Sequence, residues 1–182
     1  VLTSYRQNED ASQPFRLFEE KPGRDYFAQL GFIGGALPTH KTVFELAPGE
    51  YKLKDGENEL KIRLKAVVSG AEVERTYTFR RGSYVVDVDT RVKNTGTAAV
   101  EGFPYYQFLR HGQPPEGQSR FISTFTGPVV YTEASKFQKV SFENIAKGKA
   151  EHDKEAKDGW IGMIEHHFFA AWMSRDAADA IG

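Results

Sequence analysis

With 182 residues, 24 basic against 25 acidic side chains and a net charge of −1, the chain fits one domain and lacks the basic excess that nucleic-acid binding demands. It has no cysteine, which excludes disulfides and thiolate metal sites. No apolar run approaches the roughly 20 residues a membrane-spanning helix needs.

The first 57 residues are mixed. Phe15, Leu17 and Phe18 suggest a short strand after Pro14, and Tyr26 to Phe32 is apolar with polar interruptions. Gly31, Gly34 and Gly35 argue against a long helix there. Thr42 to Leu46 is a further strand candidate, closed by the turn dipeptide Pro48-Gly49. Tyr51 and Leu53 suggest a short edge piece before the Asp55-Gly56 turn.

Residues 58 to 92 are the most decisive stretch. Leu60, Ile62, Leu64 and Ala66 alternate with Lys61, Arg63 and Lys65; Val73, Arg75, Tyr77 and Phe79 alternate with Glu74, Thr76, Thr78 and Arg80. Tyr84, Val86, Val88, Thr90 and Val92 then share a face opposite Asp87, Asp89 and Arg91. Ser69-Gly70 and Arg81-Gly82-Ser83 supply the turns. Period-two alternation predicts an antiparallel meander with one buried and one wet face.

After the Asn94-Thr95-Gly96 turn, Val100 to Leu109 reads as a strand that Pro104 makes an edge, bulged or broken. His111 to Gln118 reads as a loop, and Phe121 to Thr126, Val129 to Thr132 and Phe137 to Phe142 as three short strands. Lys147 to Asp158 carries mixed charge without apolar period and reads as a solvated loop or frayed helix. Trp160 to Trp172 fits either a helix face or two strands turning near His166-His167. Recurring turns and short strands predict an all-β fold, an antiparallel sandwich or barrel, in a single domain over residues 1–182.

Candidate chemistry is sparse. Glu165-His166-His167 attracts attention as a metal cluster, but paired imidazoles on one helix face need a spacing of about four, and these two are adjacent. Asp87 and Asp89 share a strand face about 7 Å apart, a distance at which carboxylate pairs do glycosidic chemistry. Arg91, Arg63 and Lys65 nearby favour cross-strand charge pairing instead. No Gly-x-Ser-x-Gly elbow or phosphate-cradling glycine loop occurs. We therefore expect no catalytic residue, no metal and no cofactor. Phe103, Tyr105, Tyr106 and Phe108 form the candidate binding groove for a peptide or sugar, against the alternative that they fill the core.

Several stretches resemble a known family. They are Ser12-Gln13-Pro14-Phe15-Arg16-Leu17, Arg80 to Val88 at the second hairpin, Gly127-Pro128-Val129-Val130-Tyr131, and Asp158 to Ile164 followed by Phe168-Phe169-Ala170-Ala171-Trp172. Their order and spacing are similar to those of the large periplasmic domain of the YidC membrane protein insertase family. The resemblance implies a twisted antiparallel β-sandwich, a supersandwich like the galactose mutarotase fold, and two strands with a tight turn over Gly159 to Trp172. It implies a position on the periplasmic side of the inner membrane of a Gram-negative bacterium, with attachment through flanking helices outside this sequence. It implies a non-enzymatic role in inserting and folding membrane proteins, alone or with the Sec translocon, whose accessory components and nascent membrane proteins would be the partners. The family domain has further strands on both sides, so we expect these residues to be part of a larger folded unit. Residues Leu109 to Phe142 are the expected partner-facing region. The alternative functions are a carbohydrate-binding or aldose-mutarotase-like domain, or a holdase-like chaperone using an apolar groove.

Overall fold

Strands dominate the computed structural model, which describes residues 2–7, 11–112, 124–165 and 167–174. In chain order they are β1 (Leu2–Arg6), β2 (Pro14–Phe15), β3 (Glu19–Lys21), β4 (Arg24–Ile33), β5 (Glu45–Leu46), β6 (Glu59–Val68), β7 (Ala71–Arg80), β8 (Val86–Asn94), β9 (Phe103–Arg110), β10 (Thr126–Thr132), β11 (Lys136–Lys139), β12 (Trp160–Glu165) and β13 (Phe168–Met173). One short helix, α1 (Phe142–Ala146), lies between β11 and β12. The fold is all-β, with antiparallel sheets. Residues 1–29 with 106–182 form one compact unit, and residues 30–105 form another; the division falls within β4 and β9.

The second unit is built on the predicted meander, in the order β5-β6-β7-β8. Ser69 and Gly70 both have left-handed φ, 47° and 83°, the geometry that matches a two-residue hairpin turn to strand twist. Cross-strand rows on the apolar face are Leu60–Phe79–Val86, Ile62–Tyr77–Val88, Leu64–Arg75–Thr90 and Ala66–Val73–Val92. Leu37, Ala71 and Val73 make a buried cluster, with Phe32, Phe44 and Val100 packed against it. Within the cross-strand rows of the apolar face, the fully buried side chains are Ala66, Val73 and Arg75. Phe79 and Val86 at the other end are 38% and 39% exposed, so the apolar face is only half covered within the described residues.

In the first unit, β10 is flanked by β11 and β12, and β13 forms the edge, giving the order β11-β10-β12-β13. The segment 160–172 is therefore a β-hairpin and not a helix. A second sheet has the order β3-β4-β9, with β9 at its edge and Pro104 near its start, where a missing N–H is tolerated. The two sheets meet at Trp172 of β13, whose ring lies 5.4 Å from Tyr106 and 6.1 Å from Phe108. Trp172 also donates its indole N–H to the Gln107 carbonyl.

Several local expectations change. β1 forms from a segment with no apolar alternation, and Tyr51 to Leu53 forms no strand. Phe142 starts a helix because the Ser141 hydroxyl accepts from the Asn144 N–H and caps it. Lys147 to Asp158 has no regular element. The Phe121 end of one predicted strand and most of the His111 to Gln118 loop lie outside the described residues.

Candidate functional site

β12 alternates strictly. Trp160, Gly162 and Ile164 point one way, and Ile161, Met163 and Glu165 the other. The second set faces inward, where Met163 and Glu165 are 3% and 2% exposed.

A buried charge cluster surrounds Glu165. Its carboxylate meets the Arg24 guanidinium at 3.1 Å and that of Arg110 at 3.4 Å. Arg24 also reaches the buried Glu19 at 3.4 Å, and Lys21 pairs with Glu19 at 2.6 Å. Arg110 donates to the His111 carbonyl and lies near the Phe142 ring. Tyr26, 1% exposed, is held well above the usual phenol range, first by burial and then by the negative charge of Glu165. Removing a charge from water is costly unless it is paired and hydrogen-bonded, so this cluster clamps β4, β9 and β12 together.

The outward face of the same sheet is apolar. Phe137, Tyr131, Trp160 and Met173 are direct cross-strand neighbours and form one row over all four strands. The Tyr131 and Trp160 rings stack, 5.6 Å apart and 5° from parallel. Phe169 meets Trp160 edge-on at 5.2 Å and lies over Gly162, where an added Cβ would overlap its ring. Phe137, Phe169 and Met173 are 46%, 48% and 60% exposed. An open cleft of about 240 Å³ runs along this surface between Phe137, Trp160, Ile164 and Phe169, with His167 and Phe168 at its end. Such a surface suits an apolar side chain or an extended apolar segment; its width and low polarity offer little for acid–base chemistry.

Sequence reasoning placed the binding aromatics on β9 instead. Strand parity sets Phe103 and Tyr105 on one face and Tyr106 and Phe108 on the other, so the four do not share one surface. Tyr106 and Phe108 pack on Trp172, and Phe108 also approaches Tyr26. Tyr105 accepts from the His40 backbone N–H at 2.9 Å. Phe103 is 77% exposed. The signal for the Tyr131–Trp160 platform was present as outward parity of Trp160 and Ile164, but it required the strand reading of that segment and the register with β10.

Among the carboxylates singled out, Asp87 is ion-paired with Arg80, which also reaches Glu59 at 3.5 Å, and Asp89 is exposed on the same wet face. Glu165 is engaged by two guanidinium groups and His167 is exposed, whereas His166 lies outside the described residues.

The family model of the YidC periplasmic domain matches residues 1–181. The chain is also similar to the membrane protein insertase YidC of Thiobacillus denitrificans, at 48% identity over 178 residues, which covers 97% of this chain and 33% of that protein. The insertase YidC of Nitrosospira multiformis is 46% identical over 169 residues, covering 92% of this chain and 30% of that protein. For that of Dechloromonas aromatica the values are 43% over 176 residues, 96% and 32%. The chain thus spans about a third of the length of the curated relatives it matches.

Proposed function

Because the chain belongs to the YidC periplasmic domain family, on the periplasmic side of the inner membrane of a Gram-negative bacterium, we propose that it is a non-catalytic module for protein–protein contact in membrane-protein insertion. The observation that carries this reading is the outward Phe137–Tyr131–Trp160–Met173 row with Phe169 beside it, an apolar surface on a four-stranded sheet whose Phe137, Phe169 and Met173 are exposed. Its partners are nascent membrane proteins and accessory components of the Sec translocon. The engagement of Asp87 and Glu165 in ion pairs supports a structural role for these carboxylates. The contact region covers part of Leu109 to Phe142, through Tyr131 and Phe137, and extends to β12 and β13. Phe103 adds a separate exposed aromatic.

A photo-crosslinking amino acid at Phe169 or Met173, in the full-length insertase, should trap a translocon component or an inserting substrate. The same probe at Asp89, on the wet face of β8, should not. Equal trapping at both positions, or none at Phe169 and Met173, would remove the support for this surface. The carbohydrate-binding alternative makes the opposite demand: a sugar on the Trp160 platform would quench or shift indole emission in a saturable way.

A further inference from the structure

The turn between β10 and β11 is pinned by a segment that has no regular structure of its own. Thr132 pairs with Lys136 across this turn, and Glu133, Ala134 and Ser135 form its tip. Asp153 reaches it from the irregular stretch between α1 and β12. One carboxylate oxygen accepts from the Thr132 hydroxyl, and the other from the Ser135 hydroxyl at 2.9 Å. The Asp153 N–H donates to Gln138 Oε1 at 3.0 Å. The Thr132 hydroxyl oxygen accepts from the Ser135 N–H at 3.0 Å, so its own hydrogen is committed to Asp153. Asp158, in the same stretch, accepts from the Glu133 N–H at 3.1 Å.

The turn is strained at Lys136. This residue, where β11 begins, has φ 57°, in the left-handed region that glycine enters freely and lysine does not. Its ammonium pairs with Glu133 at 2.8 Å, and Glu133 accepts from the Tyr131 hydroxyl at 3.0 Å. A strained residue persists only where its surroundings over-determine it, and such residues gather at ligand clamps. The next residue is Phe137. It stands opposite Tyr131, its ring 5.9 Å from that of Trp160, and forms one wall of the cleft. β11 is an edge strand of four residues, paired only with β10 among the described residues, so the turn decides where that wall stands. Strand parity sets Thr132 and Gln138 on the face opposite Tyr131 and Phe137. Asp153 therefore acts from behind the cleft and is not a contact residue within it.

We propose that Asp153 is a positioning residue for the Trp160 cleft. Through Thr132, Ser135 and Gln138 it holds the β10–β11 turn in its strained form and fixes where Phe137 stands against Trp160. Its functional meaning rests on the proposed use of this cleft as a contact surface; the clamp itself can be read without any partner.

The test uses the full-length insertase and two readouts. Photo-crosslinking amino acids at Phe137 and at Met173, the two ends of the outward row, read contact with an inserting membrane-protein substrate. Amide exchange followed by mass spectrometry reads the clamp. In Asp153→Ala, trapping at Phe137 should fall at least about threefold, while trapping at Met173 stays within about twofold. Exchange over residues 132–139 should rise, and exchange over β12 should not. Thr132→Val, which keeps the shape and deletes the hydroxyl, should act like Asp153→Ala. Lys136→Gly relieves the left-handed backbone and should restore trapping at Phe137 in the Asp153→Ala protein. Equal loss at Phe137 and Met173, which general unfolding would cause, overturns the proposal. So does unchanged trapping at both positions, or unchanged exchange over residues 132–139. If the unaltered protein traps nothing at either position, the contact reading falls, and the exchange result alone then decides the clamp.

Discussion

Glu165 shows how much one side chain can organise. Its carboxylate compensates two guanidinium groups, and the Arg110 side chain is only 1% exposed. Glu165→Ala would remove the carboxylate that Arg24 and the buried Arg110 share and should cost about 3–5 kcal/mol in urea unfolding. A loss below about 1 kcal/mol would mean that the cluster is far better solvated than its burial implies. Asp153 is different, because it lies at the surface and acts through hydrogen bonds. The Thr132 hydroxyl first, and the Ser135 hydroxyl second, hold its carboxyl below the usual range. A depressed folded pKa stabilises above the unfolded value of about 3.9, and that stability is lost as pH falls through the folded value. The thermal midpoint of the unaltered chain should therefore fall more steeply between about pH 5 and about pH 2 than that of Asp153→Asn. Parallel acid slopes for the two proteins would contradict this role.

At the scale of elements, register depends on a few backbone positions. Gly159 enters β12 with φ 115°, and a Cβ there would run into the Tyr131 carbonyl oxygen. Gly159→Ala should cost about 1–3 kcal/mol and loosen the Tyr131–Trp160 pairing, seen as faster amide exchange at Ile161. Unchanged stability and exchange would show that the strand can start elsewhere. The meander was legible residue by residue because its alternation has period two over three strands and its turns use Ser-Gly and Arg-Gly-Ser. β1 was not legible, since Leu2–Arg6 has exposed, unpatterned side chains and pairs with β2 through an irregular register. The helix after β11 was hidden for a related reason: five residues are too few to show a period, and only the Ser141 cap announces it. The aromatics of β9 were assigned to a groove because sequence gives parity but not depth. Tyr106 and Phe108 turned out to meet Trp172 from a strand more than sixty residues away, a contact that no local pattern encodes.

For the molecule as a whole, family membership rests on nearly the entire length, while the exposed surfaces rest on a few side chains. The resemblance was readable from scattered short stretches because their order and spacing survive even where no single motif is specific. The outward apolar row was not, since Phe137, Tyr131, Trp160 and Met173 become neighbours only through cross-strand register. The β12–β13 hairpin adds a practical property. The chain has 2 tryptophans, and this one hairpin carries both, on opposite faces: Trp160 beside Met173, and Trp172 beside Ile161. Both are half-buried, but one indole lines the cleft and the other is hydrogen-bonded to the Gln107 carbonyl of β9. The protein thus contains two native fluorophores whose emission reports different events. A molecule bound in the cleft acts on Trp160, and loss of the packing between β13 and β9 registers at Trp172, so single-tryptophan variants can separate occupancy from unfolding without any added dye.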